Sequence, residues 1–187
     1  MPNFESLRVI GVSVKPNVPA HALRIRISQL SLGLHEYHLT AEAAEIGLAE
    51  TFRRVVEVDA VLDKTPRQIF LKVDLKTSGL FQCDRCIEDF EQALPGRYTM
   101  FYVYDDLDTA AYPADEVQVI TPDTPVIDLS EDVRQTVVLS VPLKLLCKED
   151  CRGLCPRCGA NRNQRTCDCQ VEAESPPWRG LEGLMNR

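Results

Sequence analysis

Eight cysteines stand in close pairs along the chain: Cys83 with Cys86, Cys147 with Cys151, Cys155 with Cys158, and Cys167 with Cys169. Two thiolates separated by two residues can be brought onto one ion by a single tight turn, and zinc takes four such ligands in a closed tetrahedron. In Cys155-Pro156-Arg157-Cys158-Gly159 the proline presets a turn dihedral, and the glycine admits the positive φ that the chain needs beside a metal. Cys167 and Cys169 follow after an eight-residue connection. That is long enough to turn back, so Cys155, Cys158, Cys167 and Cys169 are expected to close one local site. Cys147 and Cys151 then need two partners, and Cys83 and Cys86 are the ones left.

The long-range site must close a loop of sixty residues, at a cost of about 3.6 kcal/mol in chain entropy on a logarithmic estimate. Structural zinc binding supplies roughly 10–16 kcal/mol in peptides, so the ion can hold the loop shut. Two zinc ions are therefore expected. A redox dithiol at Cys83 and Cys86 is the first rival, but thioredoxin-like pairs precede a helix in a βαβ pattern, and this pair lies between strand candidates. Iron, in a rubredoxin-like site or a cluster, stays open on spacing alone.

An all-cysteine site leaves no open position for a substrate, which points away from an enzyme. The chain also lacks a Gly-rich phosphate loop, a nucleophile elbow and a helical His-Glu-x-x-His. His35 and His38, three residues apart on a strand, face opposite sides and read as core or edge residues rather than as metal ligands.

The elements that must position these thiols are mostly strands. Leu23–Ser28 alternates apolar and polar residues, as do Val56–Leu62 and Ile69–Leu75, and the short link Asp63–Arg67 predicts an antiparallel hairpin. The aromatic run Tyr98–Tyr104 is a further strand. Thr40 is expected to cap a short helix over 41–46 that stops at Gly47. Asp128-Leu129-Ser130-Glu131 reads as a capping box, opening a helix whose Leu129, Val133, Val137 and Val141 face the sheet until Pro142 ends it. The acidic segment from Asp105 to Glu116 lacks the glycine and distal glutamate of a calcium loop and is expected to be an exposed loop. In the tail, Trp178, Leu181 and Leu184 fall on one side of a short helix, suited to packing on the body or to binding a partner.

The fold expected is α+β. Residues 1–143 form a twisted antiparallel sheet, open or curled into a partial barrel, with the CxxC knuckle and a covering helix; residues 144–187 form a cysteine-rich zinc module and tail. No stretch is long and apolar enough to span a membrane, and the opening residues lack the layout of a secretory signal. A cytoplasmic protein without a membrane partner is expected.

The net charge of −7 opposes nucleic-acid binding over the whole surface. The charge is nevertheless uneven: residues 1–143 carry 13 positive and 22 negative side chains, and residues 144–169 carry six positive and three negative. Arg85 and Arg157 lie inside the knuckles and are expected to compensate thiolate charge. Lys144, Lys148, Arg152, Arg162 and Arg165 are freer to reach a phosphate or a protein partner.

Cys83-Asp84-Arg85-Cys86, Ile127-Asp128-Leu129, Leu139-Ser140-Val141-Pro142-Leu143 and above all the run from Cys151 through Cys155-Pro156-Arg157-Cys158 to Asn163 resemble the YceD family of bacterial large-subunit ribosomal RNA accumulation proteins. The likeness runs from about residue 20 onward. It implies a non-enzymatic factor in large-subunit biogenesis, supporting synthesis, processing or accumulation of 23S ribosomal RNA, with ribosomal RNA, an immature large subunit or other assembly proteins as partners. Pro176-Pro177-Trp178-Arg179 departs from the family's tail, which puts any shared role of that tail in doubt. On the residues alone, a zinc-ribbon adaptor that never touches RNA and an iron-binding redox carrier are the alternatives.

Overall fold

The computed structural model describes residues 23–52 and 55–169. Alternating burial builds its main sheet, in which β2 (Gly33–Glu42), β3 (Val55–Lys64), β4 (Gln68–Gln82), β5 (Asp89–Val103) and β6 (Val117–Val119) lie in that order. Val56, Val58, Ala60 and Leu62 on β3 and Ile69, Leu71, Val73 and Leu75 on β4 are buried on one face, as period-two alternation requires. β3 and β4 form the expected antiparallel hairpin, with Lys64 opposite Ile69 and the turn closed by a Thr65 N–H to Gln68 O bond of 2.9 Å.

One helix, α1 (Ser130–Leu139), covers this face and buries Val133 and Val137 in the same cluster. Each such side chain contributes about 1.5–3 kcal/mol when fully buried. Gly96 on β5 permits the approach: a Cβ there would lie 2.8 Å from Thr136 Cγ2 and 2.9 Å from Leu75 Cδ1. On the opposite face Phe101 packs against Phe70 and stacks on Tyr112, with ring centroids 4.9 and 4.2 Å apart. The Tyr112 hydroxyl bonds Gln68.

Three expectations are corrected. The sheet is neither wholly antiparallel nor curled into a barrel: β6 runs parallel to β5, β2 and β6 stand at opposite ends, and β1 (Arg24–Arg26) pairs with β7 (Val126–Asp128) in a separate two-stranded sheet. A parallel neighbour needs a crossover of a dozen or so residues, which the segment between β5 and β6 supplies. That segment holds the acidic loop, including a 3-10 turn at Asp106–Ala111.

The helix expected after Thr40 is absent, because β2 continues to Glu42 and the chain then turns through Gly47, whose φ is +71°. Ala41 on β2 and Ala43 in the turn after it are both buried in the core, so burial outweighs the helix propensity of the alanines. The reciprocal capping box does not form either. Asp128 accepts from Ser130 N–H at 3.0 Å and from Arg24 at 2.7 Å, and Glu131 turns instead to Arg134 and Gln135.

His35 and His38 lie on β2, an edge strand, where His38 Nδ1 meets Asp59 at 2.7 Å. Among the described residues no helix is long and apolar enough to cross a membrane. The chain divides into two compact units, one of Met1–Phe81 and Glu91–Leu143, the other of Gln82–Phe90 and Lys144–Arg187. The tip of the β4–β5 hairpin, with Cys83 and Cys86, thus belongs to the second unit. The tail residues Trp178, Leu181 and Leu184 lie outside the described residues.

Candidate metal centres

The second unit brings the eight cysteines into two groups of four: Cys83, Cys86, Cys147 and Cys151, and Cys155, Cys158, Cys167 and Cys169. Within each group all four sulfurs lie within 4.8 Å of one another. In the first, Cys83 and Cys151 sulfurs are 3.8 Å apart and Cys86 and Cys147 sulfurs 3.6 Å. A disulfide would bring them to about 2.05 Å, whereas sulfurs about 2.3 Å from a tetrahedral ion stand about 3.8 Å from each other. All eight cysteines are free. Both groups can therefore hold a metal ion, and their membership is the one drawn from spacing.

The paired knuckles are built alike. Cys83 N–H donates to Glu88 O at 2.9 Å and Ile87 N–H to Cys83 O at 2.9 Å; Cys155 N–H donates to Ala160 O at 2.8 Å and Gly159 N–H to Cys155 O at 2.9 Å. The residue after the second cysteine has positive φ in both, +60° at Ile87 and +69° at Gly159. Gly159 fills this position without strain, and a β-branched residue does not.

Backbone amides set the electrostatics of the first ligand in each group. Burial pushes the Cys83 thiol up, but the N–H groups of Cys147, Arg85 and Cys86 aimed at its sulfur outweigh it and bring it down to about 6. The N–H groups of Cys158 and Arg157 likewise lower Cys155 to about 6. Burial and then the neighbouring sulfurs push Cys147 up to about 12, and the Cys158 sulfur and then burial do the same for Cys169. Sulfurs this close cannot all ionise together without a cation among them.

Several residues tie the second unit together, and of them the sequence reading gave a role only to Arg85. Asp84 is bonded twice to Leu145, through its own N–H at 2.8 Å and its carboxylate at 2.7 Å. The Arg85 guanidinium donates to Cys151 O at 2.8 Å, so the side chain clamps backbone while the Arg85 N–H faces the Cys83 sulfur. Gly153, at φ +69°, lies against Arg85 O, which a Cβ would approach to 2.9 Å. Asn163 donates to the Cys151 sulfur at 3.3 Å and accepts from Arg152 N–H at 2.9 Å. Asn161 and Gln164 both donate to Glu88. Asn161 and Asn163 were visible in sequence only as part of a family motif.

The two groups differ in enclosure. Cys83, Cys86 and Cys151 are buried with Phe90, Leu146 and Leu154 packed around them, whereas Cys158 is exposed and Cys167 and Cys169 are half-buried. Lys144, Lys148, Arg152, Arg162 and Arg165 are all exposed. Lys148 lies 3.7 Å from Asp150, and Arg162 N–H donates to Gly153 O beside the Leu154–Asn161 bridge.

A family model described as large ribosomal RNA subunit accumulation protein YceD matches residues 71–185. The chain belongs to the YceD family. Both cysteine groups of this YceD chain fall inside the matched span. A similar plant protein, the chloroplastic large ribosomal RNA subunit accumulation protein YCED homolog 1 of Arabidopsis thaliana, is 35% identical over 35% of this chain and 21% of its own length. Uncharacterized proteins of Mycobacterium bovis and Mycobacterium tuberculosis are 26% identical over 72% of this chain and 66% of their own length. The YceD chain thus spans about a fifth of the plant relative and just under two thirds of the mycobacterial ones. No solved structure matches it.

Proposed function

We propose that this chain is a non-enzymatic factor for large ribosomal subunit biogenesis, acting in the cytoplasm to support synthesis, processing or accumulation of 23S ribosomal RNA. The observation that carries the reading is the family match over residues 71–185, whose description names accumulation of the large ribosomal RNA subunit. On this reading the two cysteine groups hold zinc and make the second unit rigid. A small unit with so few buried apolar side chains needs such a staple. Lys144, Lys148, Arg152, Arg162 and Arg165 then meet the phosphates of ribosomal RNA or of an immature subunit.

Depletion of the protein tests the function: large subunits and 23S ribosomal RNA should fall relative to small subunits, and normal levels would overturn it. Crosslinking in cells tests the contact. RNA adducts at Arg152 to Arg165 support it, and protein adducts alone would establish the adaptor reading instead. A colourless protein with two equivalents of zinc is expected; visible absorbance would identify iron and the redox alternative.

A further inference from the structure

The outer edge of β5 is paired only at its C-terminal end. β6 meets Phe101, Tyr102 and Val103, with Phe101 N–H donating to Glu116 O at 2.7 Å and Ile120 N–H to Val103 O at 2.9 Å. Backbone groups of successive strand residues point to opposite sides. Arg97 and Thr99 therefore present their N–H and C=O groups on the same side as Phe101. β6 is the only strand on that side among the described residues, and its three residues stop short of them.

This edge is one wall of a cleft of about 760 Å³. The helix α1 supplies the other wall through Asp132, Gln135, Thr136 and Leu139, and Asp115 and Glu116 also line it. A strand edge facing a helix across a cleft is an arrangement by which a sheet takes in an extended peptide as an added strand. The open stretch from Gly96 to Met100 offers about 17 Å of edge.

Charge selects the occupant. The two cations that line the cleft, Lys72 and Arg97, lie 3.6 and 3.5 Å from Asp74. Glu116 accepts from the Thr99 hydroxyl at 3.3 Å, and no cation of the described residues pairs with Asp115, Glu116 or Asp132. Phosphate is repelled by such a lining, and a lysine or arginine is drawn to it. We propose that the cleft binds an extended, lysine- or arginine-rich segment of a partner protein, added as a strand to the outer edge of β5 with its cations beside Asp115, Glu116 and Asp132. No residue of either cysteine group lines the cleft, so the inference does not depend on the metal or RNA reading.

The test uses the full chain with a fluorescent peptide of about ten residues alternating lysine and threonine, and a glutamate–threonine peptide as its counterpart. Anisotropy should show binding of the first and not of the second, and amide exchange of Arg97 and Thr99 should slow when the lysine peptide is added. Thr99→Pro removes one outward N–H at an edge position where proline is tolerated, and should weaken binding about tenfold or more. Asp115→Asn with Glu116→Gln, which leaves the ladder intact, should weaken it by a similar factor. Equal binding of the glutamate peptide, undiminished binding by both variants, or exchange protection at other amides would overturn the proposal. Protection of Arg97 and Thr99 without peptide, lost on dilution, would show that a second copy takes the edge. Displacement of the lysine peptide by single-stranded RNA from those same amides would also overturn it.

Discussion

The Asn163 side-chain amide donates to the sulfur of Cys151 at 3.3 Å, although Asn163 sits in the loop between Cys158 and Cys167 and Cys151 belongs to the other cysteine group. The connection that closes one candidate metal site thus supplies an outer contact of its neighbour. The same amide's oxygen accepts from Arg152 N–H and so fixes the backbone next to Cys151. Formation of the second site should consequently firm up the first.

Removing that contact should show in metal affinity. Partners of this kind typically cost 10–100-fold in affinity when lost. Asn163→Ala is expected to weaken the Cys83, Cys86, Cys147 and Cys151 site by roughly 10-fold or more, read by chelator competition for the more tightly held equivalent of the fully loaded protein. An unchanged affinity would show that the amide orients only the backbone.

Enclosure should order metal release. Cys158 is exposed while Cys83, Cys86 and Cys151 are buried, so a chelator should strip the Cys155, Cys158, Cys167 and Cys169 site first, giving two kinetic phases of one equivalent each. Cys169→Ser should abolish the fast phase and, by loosening the Asn163 contact to Cys151, quicken the slow one. Cys83→Ser should abolish the slow phase and release the hairpin tip from residues 144–154, seen as faster amide exchange at Asp84, Leu145 and Leu154, whose N–H bonds join those segments.

The grouping of the cysteines into two sets of four could be read from sequence because local geometry does the work: two short-spaced pairs close nearby, and elimination leaves the distant four. The β3–β4 hairpin was equally legible, since Val56–Leu62 and Ile69–Leu75 alternate, apart from Val61 and Phe70, and one face is buried. What escaped depends on contacts made far along the chain. Ala41 and Ala43 favour helix locally but are buried, Ala41 on β2 and Ala43 in the turn after it, and Glu131 bonds Arg134 and Gln135 instead of capping while Asp128 is engaged by Arg24. The parallel placement of β6 follows from a crossover that carries no periodic signal. Asn163 escaped because an amide donor to sulfur has no spacing rule.

The knuckles also differ by one strained residue. Ile87 holds φ +60° and is largely exposed, whereas Gly159 fills the matching position of the other knuckle. A non-glycine residue there costs about 1–2 kcal/mol, offset by the roughly 0.5–1 kcal/mol that glycine loses in flexibility. Ile87→Gly should therefore stabilise the metal-loaded protein by about 0.5–1 kcal/mol, and Gly159→Val should destabilise it, both read in denaturant titrations. Gly153→Ala should cost more than Gly159→Val, because its Cβ would also press on Arg85 O at 2.9 Å, whereas a Cβ at Gly159 meets nothing within 4 Å.

Two carboxylates around the start of α1 should respond to acid with opposite sign. Burial is offset at Asp128 by bonds from Ser130 and by Arg24, so its carboxyl lies below the usual range; its stabilisation is present above that range and is lost as the pH falls through the folded value. Asp132 lies above the usual range because of burial first and then the charges of Glu131 and Asp128; the Tyr98 and Tyr102 phenols are pushed up by burial and then by the Asp132 charge. The helix N-terminus favours a carboxylate at Asp132 by up to about 1 kcal/mol, which reduces the penalty without reversing it. A proton bound more tightly by the folded state stabilises it below the ordinary range, and that gain disappears as the pH rises through the raised value. Asp132→Asn should accordingly raise the melting temperature at neutral pH and leave it unchanged in strong acid, whereas Asp128→Asn should lower it at neutral pH and converge with the wild type in acid. A melting temperature that fell at neutral pH for Asp132→Asn would mean that the carboxylate already has a favourable partner, and the charge argument for the β5 cleft would lose one of its three groups.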